Sequence, residues 1–252
     1  MFLKLSIITI CFNEVDSVAK TLASVAGQTF KNFEWIVIDG GSTDGTLEIL
    51  NTYRSHFTVF ISEKDAGIYN AMNKGIARAQ GEYLFFLNGG DYLADDGTLS
   101  RIFSTPLDAD FVYGDITVIG GERPELLVMP SKITAEFLYR KTIPHQSTLT
   151  KKDLFERAGT YDERFKIVAD YEFILRGLLH FNATFQYVPL AFACYSGNGV
   201  SSDAVRRKAE KTVVHKRYYS LLQRIVLKHK IRTKLLKLRR AINWPEQKDR
   251  AT

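Results

Sequence analysis

The chain has 252 residues, of which 45% are hydrophobic and 25% are charged, values that are ordinary for a globular protein. This composition excludes an intrinsically disordered chain, a collagen-like fibre and a small disulfide scaffold. The net charge of +6 comes from 34 basic and 28 acidic side chains, and a positive total of this kind suggests nucleic-acid binding unless the charge is localised elsewhere.

Alternating strand and helix patterns fill the first part of the chain. Apolar, β-branched runs predict strands over residues 5–11, 33–38, 57–61 and 83–87. Helical periodicity between them predicts helices over residues 15–27, 46–54 and 68–79. Strands separated by helices of this length form βαβ units, so we predict a parallel sheet with helices on both faces.

One polar residue follows each of these four predicted strands. They are Asn13, Asp39, Asp65 and Asp91, spaced 26 residues apart. Because ligands of open α/β sheets bind outside the carboxyl ends of the strands, we expect these side chains to border one crevice. Three carboxylates at this edge favour a site that binds a cation, or one that accepts hydrogen bonds from the hydroxyl groups or the base of a ligand.

The pattern changes after residue 91. A strand over residues 111–119, a turn at Gly120 and Gly121, and a short strand over 126–129 predict an antiparallel hairpin. Helices are predicted over 134–140, 151–158 and 170–180, the last with Asp170 as its N-cap, and short strands over 185–188 and 191–195. No linker rich in proline or serine divides this region, which favours one domain over residues 1–203.

The positive charge is concentrated near the C-terminus. Residues 204–240 contain 14 lysines and arginines and one carboxylate, Glu210, for a local net charge of +13. The rest of the chain carries 20 basic and 27 acidic side chains, a net of −7. We therefore predict an acidic body followed by a basic arm, which we define as residues 204–252.

Apolar residues of the basic arm recur at helical spacing, with a change of phase near residue 226. They are Val214, Tyr218, Leu221, Ile225, Leu227, Ile231, Leu235, Leu238 and Ile242. We favour docking of residues 204–244 on an anionic membrane surface, because Trp244 near the end of a basic amphipathic helix fits an interfacial anchor. The alternative is a helix packed on the body with a solvated basic face. Nucleic acid is not an expected partner, because the arm has no recognised binding motif.

The expected compartment is the cytoplasm, with a peripheral position on the inner face of the plasma membrane if the basic arm docks there. Cys11 and Cys194 both lie in apolar runs typical of core packing, and such low cysteine usage fits a reducing environment. No run approaches the roughly 20 apolar residues that a membrane span needs.

Three polar turns carry the candidate chemistry. Residues 39–45, with the sequence DGGSTDG, follow a strand but match neither the dinucleotide-binding fingerprint nor the P-loop. Taken singly, Asp91 after two glycines is typical of a turn, and Asp170 is typical of a helix cap.

Together and in this order, the motifs resemble the family-2 glycosyltransferases of the GT-A fold, in particular the bacterial branch that builds surface polysaccharides. The resemblance covers roughly residues 4–195 and rests on residues 6–14, 33–46, 65–75, 81–91 and 169–172. It implies an α/β fold, with a Rossmann-like mixed sheet flanked by helices, to which the basic arm is added.

The resemblance also implies roles for individual residues. Asp170 matches the general base, and Asp91 matches the carboxylate that holds Mg²⁺ or Mn²⁺ on the donor diphosphate. His145 and Gln146 recur in this branch as a pair that faces the active site, although a lone histidine is more often structural. The residues expected to bind the sugar nucleotide are Ile10, Phe12, Asn13, Glu14, Asp39, Lys64, Asp65, Asn73 and Asn88.

Two positions depart from the family pattern. Gly40 follows Asp39 where the family often has a second carboxylate, and Asn88 stands where the metal motif usually begins with Asp. An amide coordinates a cation through its oxygen but adds no charge, so we expect a weakly bound metal.

These parts predict a metal-dependent, inverting glycosyltransferase. It would move a sugar from a nucleotide-diphosphate sugar, with a bias towards UDP, to a sugar or lipid-linked sugar acceptor in cell-surface polysaccharide synthesis. A nucleotidyltransferase is disfavoured because its G-x-G-T-R-L signature is absent. A catalytically silent scaffold that binds sugar nucleotides is the remaining alternative, motivated by Gly40 and Asn88.

Overall fold

The computed structural model describes residues 3–197, 203–218 and 220, and arranges them around one mixed β-sheet. The strands are β1 (Leu5–Cys11), β2 (Phe33–Asp39), β3 (Val59–Ser62), β4 (Tyr83–Phe86), β5 (Tyr92–Leu93), β6 (Phe111–Val118), β7 (Glu125–Leu127), β8 (Thr148–Lys151) and β9 (Phe185–Tyr195). The helices are α1 (Val18–Ala26), α2 (Thr46–Thr52), α3 (Ile68–Ile76), α4 (Thr98–Ile102), α5 (Ala135–Arg140), α6 (Lys152–Ala158), α7 (Ala169–Phe181) and α8 (204–218). Short 3₁₀ turns occupy Arg54–His56 and His145–Ser147.

The strand order of the sheet is β3-β2-β1-β4-β8-β6-β9-β5, with β7 paired to β6. β1 pairs in parallel with both β2 and β4, and β2 pairs in parallel with β3, which confirms the predicted parallel half. β8 runs antiparallel to β4 and β6, so the sheet is mixed as expected. From β1 the chain continues to β2 and β3 on one side and returns to β4 on the other. The carboxyl ends of β1 and β4 therefore flank a topological switch point, the usual place for a ligand crevice.

Two hydrophobic clusters cover the two faces of the sheet. All seven residues of β1 are buried, and alternate side chains point to opposite faces, as the pleat of a strand requires. Ile8 and Ile10 join the cluster that contains apolar residues of α3 and α7. Leu5 and Ile7 join the cluster that contains apolar residues of α1, α2 and α4. The strands that form the candidate site are thus held from both sides.

The chain after residue 91 contains three elements that were not predicted, and two predicted strands are merged into one. β5, α4 and β8 were not expected, because each has only two to five residues and no clear periodicity. The predicted strands over 185–188 and 191–195 form one strand, β9, that continues through Pro189. Proline donates no ladder hydrogen bond, and the pairing of β9 with β6 shifts register beside it. The predicted hairpin is confirmed by antiparallel pairing of Ile116 with Leu127.

The start of the basic arm packs against the body. Val214 and Tyr218 of α8 are almost fully buried and belong to the same cluster as α3 and α7. Helix α8, the start of the basic arm, is therefore packed on the body, as the alternative to membrane docking expected. Residues 198–202, 219 and 221–252 lie outside the described residues, as do the predictions that concern Leu221, Ile225 and Trp244. The domain boundary after residue 203 stays a prediction.

Two further expectations concern cysteines and membrane spans. Cys11 is buried as predicted, and burial raises the pKa of its thiol, but Cys194 is half-buried rather than a core residue. Cys194 lies near the end of β9, between Thr117 of β6 and Tyr92 of the two-residue edge strand β5. Within the described ranges, no helix combines the length and apolar character needed to cross a bilayer.

Candidate functional site

The polar residues that follow the parallel strands lie at one edge of the sheet. β1, β2 and β4 pair in register from Leu5, which is opposite both Phe33 and Tyr83, so these strands start at the same level. β1 and β2 also end level, with Cys11 opposite Asp39, whereas β4 ends at Phe86, opposite Ile8, and the chain after it continues along β1. Asp39 is the last residue of β2, and Asp91 follows β4 by five residues. The crevice predicted from the spacing is therefore built by the topology.

The end of β1 is tied to the turn at residues 40–45. Asn13 has a φ of 54°, a left-handed conformation that asparagine tolerates better than most residues. Its backbone amide donates to the Ser42 hydroxyl at 2.8 Å, and its side-chain oxygen accepts from the Thr43 amide at 2.9 Å. Ile10 is buried in the core, whereas the Phe12 ring is 59% exposed beside the turn.

Asp39 is fully buried beneath this turn. Its carboxylate accepts from the Gly41 amide at 3.1 Å, the Ser42 hydroxyl at 2.5 Å and the Ser62 hydroxyl at 2.6 Å. The side chain therefore shapes the turn and joins the ends of β2 and β3. A contact between its carboxylate and a nucleotide base stays a prediction.

The glycine at position 40 makes room for Asp65 and Phe12. A Cβ atom added to Gly40 would lie 2.6 Å from Asp65 Oδ2 and 3.2 Å from Phe12 Cδ2. The other carboxylate oxygen of Asp65, Oδ1, accepts a hydrogen bond from the Gly67 amide at 2.8 Å, which fixes the side chain in place. A carboxylate oxygen from the β3–α3 loop thus occupies the space where a side chain at position 40 would lie. An exposed aromatic ring stands next to it.

Basic side chains approach the same loop from two directions. Lys64 is exposed, and its carbonyl oxygen accepts from Lys74 Nζ at 3.4 Å. Lys166 Nζ donates to the Ala66 carbonyl oxygen at 3.0 Å, which brings a cation from just before α7 to the β3–α3 loop. Lys166 was not predicted as a site residue, because it is 100 positions from Ala66 and no local motif marks the lysine.

Asp91 is a buried carboxylate in the crevice. It is 5% exposed, and its Oδ2 accepts from Gln146 Nε2 at 3.1 Å. The pKa of Asp91 is raised to about 6, mainly by burial and to a smaller extent by the negative charge of Glu14. The His145 charge and the Gln146 hydrogen bond act in the opposite direction. A positive charge placed beside Asp91 would therefore strongly stabilise the ionised form of its carboxylate.

Asn88 offers a second oxygen beside β4. Its Oδ1 atom is buried without a hydrogen-bond partner, a costly arrangement unless a ligand completes it. Glu14 also lies nearby, since a Cβ atom on Gly89 would be 3.1 Å from Glu14 Cγ. Oxygen ligands of this kind suit Mg²⁺ or Mn²⁺.

These oxygens do not form a complete metal cage. Across residues 3–197 and 203–218, no group of three or more histidine, cysteine, aspartate or glutamate side chains is clustered to hold a metal. A cation bound at Asp91 and Asn88 would therefore take most of its ligands from a diphosphate and water, as Mg²⁺ commonly does. The residues present fit such a shared site.

Asp170 lies on the second residue of α7, so its prediction as the N-cap is wrong. The N-cap is Val168, and the preceding loop leads into the helix one residue earlier than the sequence pattern suggests. Asp170 Oδ1 accepts from the Tyr69 hydroxyl at 3.0 Å and from the Tyr171 amide at 2.8 Å. Burial and the Asp170 charge raise the pKa of Tyr69 well above its usual range, so Tyr69 acts as a hydrogen-bond donor.

His145 connects Asp170 with the Asp91 side of the crevice. Its Nδ1 lies 3.3 Å from Asp170 Oδ2, and its Nε2 lies 3.0 Å from Asn88 Nδ2. With the proton on Nδ1, the imidazole donates to the carboxylate and accepts from the amide, which leaves the Asn88 oxygen for a ligand. Through His145, the 3₁₀ turn at His145–Ser147 thus links the end of β4 to the start of α7.

Asn73 is used within the protein. Its amide donates to the Tyr161 carbonyl oxygen at 3.0 Å and to Glu163 Oε1 at 2.8 Å, and its oxygen accepts from the Tyr161 amide at 3.0 Å. It therefore anchors the loop before α7, and its predicted contact with the donor stays a prediction. Tyr69, in contrast, contacts Asp170 although no role was predicted for it from the sequence. Gln146, which was expected with His145 to face the active site, contacts Asp91.

Comparison with known proteins places the chain among glycosyltransferases. Residues 6–161 match the sequence profile described as Glycosyl transferase family 2. An uncharacterized glycosyltransferase of Mycobacterium tuberculosis is 34% identical over 180 residues, which cover 69% of this chain and 68% of the relative. A PGL/p-HBAD biosynthesis glycosyltransferase of Mycobacterium bovis is 30% identical over 207 residues, 79% of each chain.

Two solved structures share the fold at low sequence identity. S. aureus TarS 1–349 in complex with UDP-GlcNAc is 22% identical with a TM-score of 0.65, and the match covers 80% of this chain and 61% of that one. This chain spans 36% of the longer TarS chain. The mannosyltransferase PcManGT of Pyrobaculum calidifontis, in complex with GDP-Man and Mn²⁺, is 15% identical with a TM-score of 0.62, covering 98% and 82%.

Proposed function

Because the chain belongs to glycosyl transferase family 2, we propose that it moves a sugar from a nucleotide-diphosphate sugar to a hydroxyl of a glycan or lipid-linked acceptor, with inversion at the anomeric carbon. The observation that carries this proposal is the convergence of Asp91, His145 and Asp170 on one crevice at the switch point of the sheet. A displacement at a diphosphate-linked carbon needs one charged group near the leaving diphosphate and another near the attacking hydroxyl. The buried carboxylate of Asp91 and the hydrogen-bonded carboxylate of Asp170 would fill these two places.

The nucleotide would lie over the β1 and β2 ends. The exposed Phe12 ring provides an apolar surface for a base, and the Asp65 carboxylate beside it provides an acceptor for a base N–H. Uracil, with one such N–H, is the base that we favour. The neighbouring structures that hold UDP-GlcNAc and GDP-Man support a nucleoside diphosphate sugar as the class of donor.

The diphosphate would lie between Asp91 and Asn88. A bound Mg²⁺ or Mn²⁺ supplies positive charge that neutralises the leaving diphosphate. Asp91 would hold that cation through its carboxylate, and Asn88 through its partnerless Oδ1. Because only Asp91 contributes a charge here, we expect weak metal binding without the donor and tighter binding with it.

Asp170 would serve as the general base. The acceptor hydroxyl oxygen bonds to the anomeric carbon while the bond from that carbon to the phosphate oxygen breaks. The nucleoside diphosphate leaves with the electron pair, and Asp170 takes the hydroxyl proton. One displacement inverts the centre, so an α-linked donor yields a β-linkage. A base of this kind contributes roughly 10²–10⁴-fold.

The test is transfer and hydrolysis of a panel of sugar nucleotides in the presence of Mg²⁺ or Mn²⁺, compared with Asp170→Asn. We expect turnover to fall at least about a hundredfold while donor affinity, measured by calorimetry, stays within about twofold. Near-normal turnover of Asp170→Asn would remove Asp170 as the base. Donor binding without turnover in the unchanged protein would favour a nucleotide-sugar-binding scaffold instead.

The acceptor side involves the basic arm, for which we propose contact with an anionic membrane surface from the cytoplasmic side. Support comes from α8, where Val205 and Val213 are 82% and 52% exposed among basic residues, while Val214 and Tyr218 face the body. A lipid-linked acceptor would be presented at such a surface. Each basic residue near anionic lipid adds about 1 kcal/mol.

Vesicle sedimentation tests this contact with the full chain. The variant replaces by glutamine the eight lysines and arginines of residues 219–240, which are Arg224, Lys228, Lys230, Arg232, Lys234, Lys237, Arg239 and Arg240. We expect the unchanged chain to bind phosphatidylglycerol vesicles but not phosphatidylcholine vesicles, and the variant to lose binding. Equal binding by both proteins would contradict the proposal.

A further inference from the structure

The chain before α7 is held by a carboxylate from the basic arm. Glu210 of α8 accepts hydrogen bonds from three successive backbone amides, those of residues 166–168. The distances are 3.0 Å from Lys166, 2.9 Å from Ile167 and 3.3 Å from Val168. Successive amides that converge on one anion form a backbone nest, and bonds to an ionised acceptor are stronger than neutral ones.

We propose that Glu210 is a positioning residue for Asp170, an inference that rests on the proposed role of Asp170 as the base. The N-cap of α7, Val168, has no side chain that caps the helix. The Glu210 carboxylate lies where a negative charge favours a helix start. Asp170 is only two residues beyond the last amide that Glu210 binds.

A second path leads from Glu210 to Asp170 through Tyr69. The Ile167 amide donates to Glu210, while the Ile167 carbonyl oxygen accepts from the Tyr69 hydroxyl at 2.8 Å. The same hydroxyl lies 3.0 Å from Asp170 Oδ1. One hydroxyl hydrogen is thus shared between two acceptors. A shift of the Ile167 carbonyl therefore changes the hydrogen bond that the Tyr69 hydroxyl donates to Asp170.

Glu210 is itself held in place. Arg206 Nε donates to Glu210 Oε1 at 3.1 Å, and the Glu210 side chain is only 13% exposed. Further along α8, Lys211 Nζ donates to the Arg140 carbonyl oxygen at 2.8 Å, and Val214 is fully buried. Glu210 is also the single carboxylate among residues 204–240. Its position in a segment that is otherwise basic is explained by the amides that it binds.

The experiment compares Glu210→Ala and Glu210→Gln with the unchanged full chain. We expect the turnover number to fall by about 10- to 100-fold for Glu210→Ala, because small misplacements of a catalytic group cost this much. The turnover number of Glu210→Gln should lie between those of the unchanged chain and Glu210→Ala, since the glutamine keeps one acceptor oxygen. The donor KM and the donor Kd should stay within about twofold for both variants.

Tyr218→Phe is the control for a loosened α8. It removes the Tyr218 hydroxyl bond to Glu172 at 2.5 Å but leaves the amides of residues 166–168 on Glu210. If all three variants lower the melting temperature but only the Glu210 variants lower the turnover number, the positioning role holds. If Glu210→Ala loses turnover no more than Tyr218→Phe, the role is merely structural and the inference fails.

Asp170→Asn, measured in parallel, keeps the two proposals apart. Loss of turnover in Asp170→Asn with normal turnover in Glu210→Ala would overturn the inference alone. Normal turnover in Asp170→Asn would overturn the assignment of the base, and with it the premise of the inference.

Discussion

Nδ1 of His145 lies 3.3 Å from Oδ2 of Asp170, and these two side chains are 18% and 15% exposed. An orienting hydrogen bond is worth most where water cannot compete for the carboxylate. Since Tyr69 and the Tyr171 amide engage the other oxygen, Asp170 is held from both sides. A free lone pair on Oδ2 still faces away from the imidazole, because a carboxylate oxygen has two acceptor sites.

His145→Ala should therefore lower the turnover number by about 10- to 100-fold, since Asp170 loses the group that orients Oδ2. His145→Asn should recover part of the loss, because the asparagine amide can reach where Nδ1 was. His145→Gln should recover less, because its amide mimics Nε2, which faces Asn88 rather than Asp170. The measurement is the turnover number at saturating donor. Better recovery by Gln than by Asn would show that the Asn88 contact matters more.

The parallel half of the sheet and the residues at its edge could be predicted because each signal is local. A β-branched run marks a strand, and the polar residue that follows it lies where the strand ends. Asp91 and Asp39 were located in this way. The contacts that hold the site are not local, since Tyr69 meets Asp170 across 101 residues and Glu210 meets Ile167 across 43. Packing of α3 and α8 against α7 decides these pairs, and periodicity carries no information about them.

Metal-dependent donor binding should weaken in acid because of Asp91. Its pKa of about 6 lies above the ordinary value of 3.8, so the folded protein binds this proton more tightly than the unfolded chain. A cation needs the ionised form. Below pH 6 the affinity for donor with Mn²⁺ should thus fall by about tenfold per pH unit. Calorimetry between pH 5 and pH 8 measures it, and a flat profile would contradict the role of Asp91.

The same raised pKa has an opposite consequence for stability without metal. Between pH 3.8 and pH 6 the folded state holds more protons, so the free energy of unfolding falls as the pH rises through this window. Asp91→Asn removes the ionisable group and should be more stable than the unchanged protein above pH 6, by at most about 3 kcal/mol. Below pH 4 this advantage should disappear. Denaturant unfolding at a series of pH values, with chelator present, tests this difference.

Asn88→Asp should strengthen metal binding. A carboxylate at this position adds a negative charge beside the Asp91 carboxylate, and a nearby charge adds at least about tenfold to the affinity for a divalent cation. It also removes the amide that donates to His145, so the gain in affinity should come without a gain in turnover. Mn²⁺ titration by calorimetry or by electron paramagnetic resonance provides the readout. Asn88→Ala is the control, which should bind Mn²⁺ more weakly than the unchanged protein. Equal affinity in all three proteins would mean that the Asn88 oxygen does not face the cation.

Gly40→Asp would place a second carboxylate directly after Asp39, yet we expect it to weaken donor binding. Its Cβ atom would lie 2.6 Å from Asp65 Oδ2, so the Asp65 carboxylate must move away and two like charges then adjoin. We expect the donor Kd to rise by about tenfold, as for a like-charge contact of 1 to 2 kcal/mol. Asp65→Ala alone should also raise it, because the acceptor beside Phe12 is lost.

The double variant, Gly40→Asp with Asp65→Ala, separates a clash from a simple loss of function. Without the Asp65 side chain the new carboxylate has room, so the double variant should bind the donor better than either single variant. The difference is a coupling energy between two residues in contact, and such energies commonly exceed 0.5 kcal/mol. Additive losses in the cycle would mean that Gly40 is needed for the backbone turn. Tighter donor binding by Gly40→Asp alone would mean that Asp65 does not occupy the place of the missing carboxylate.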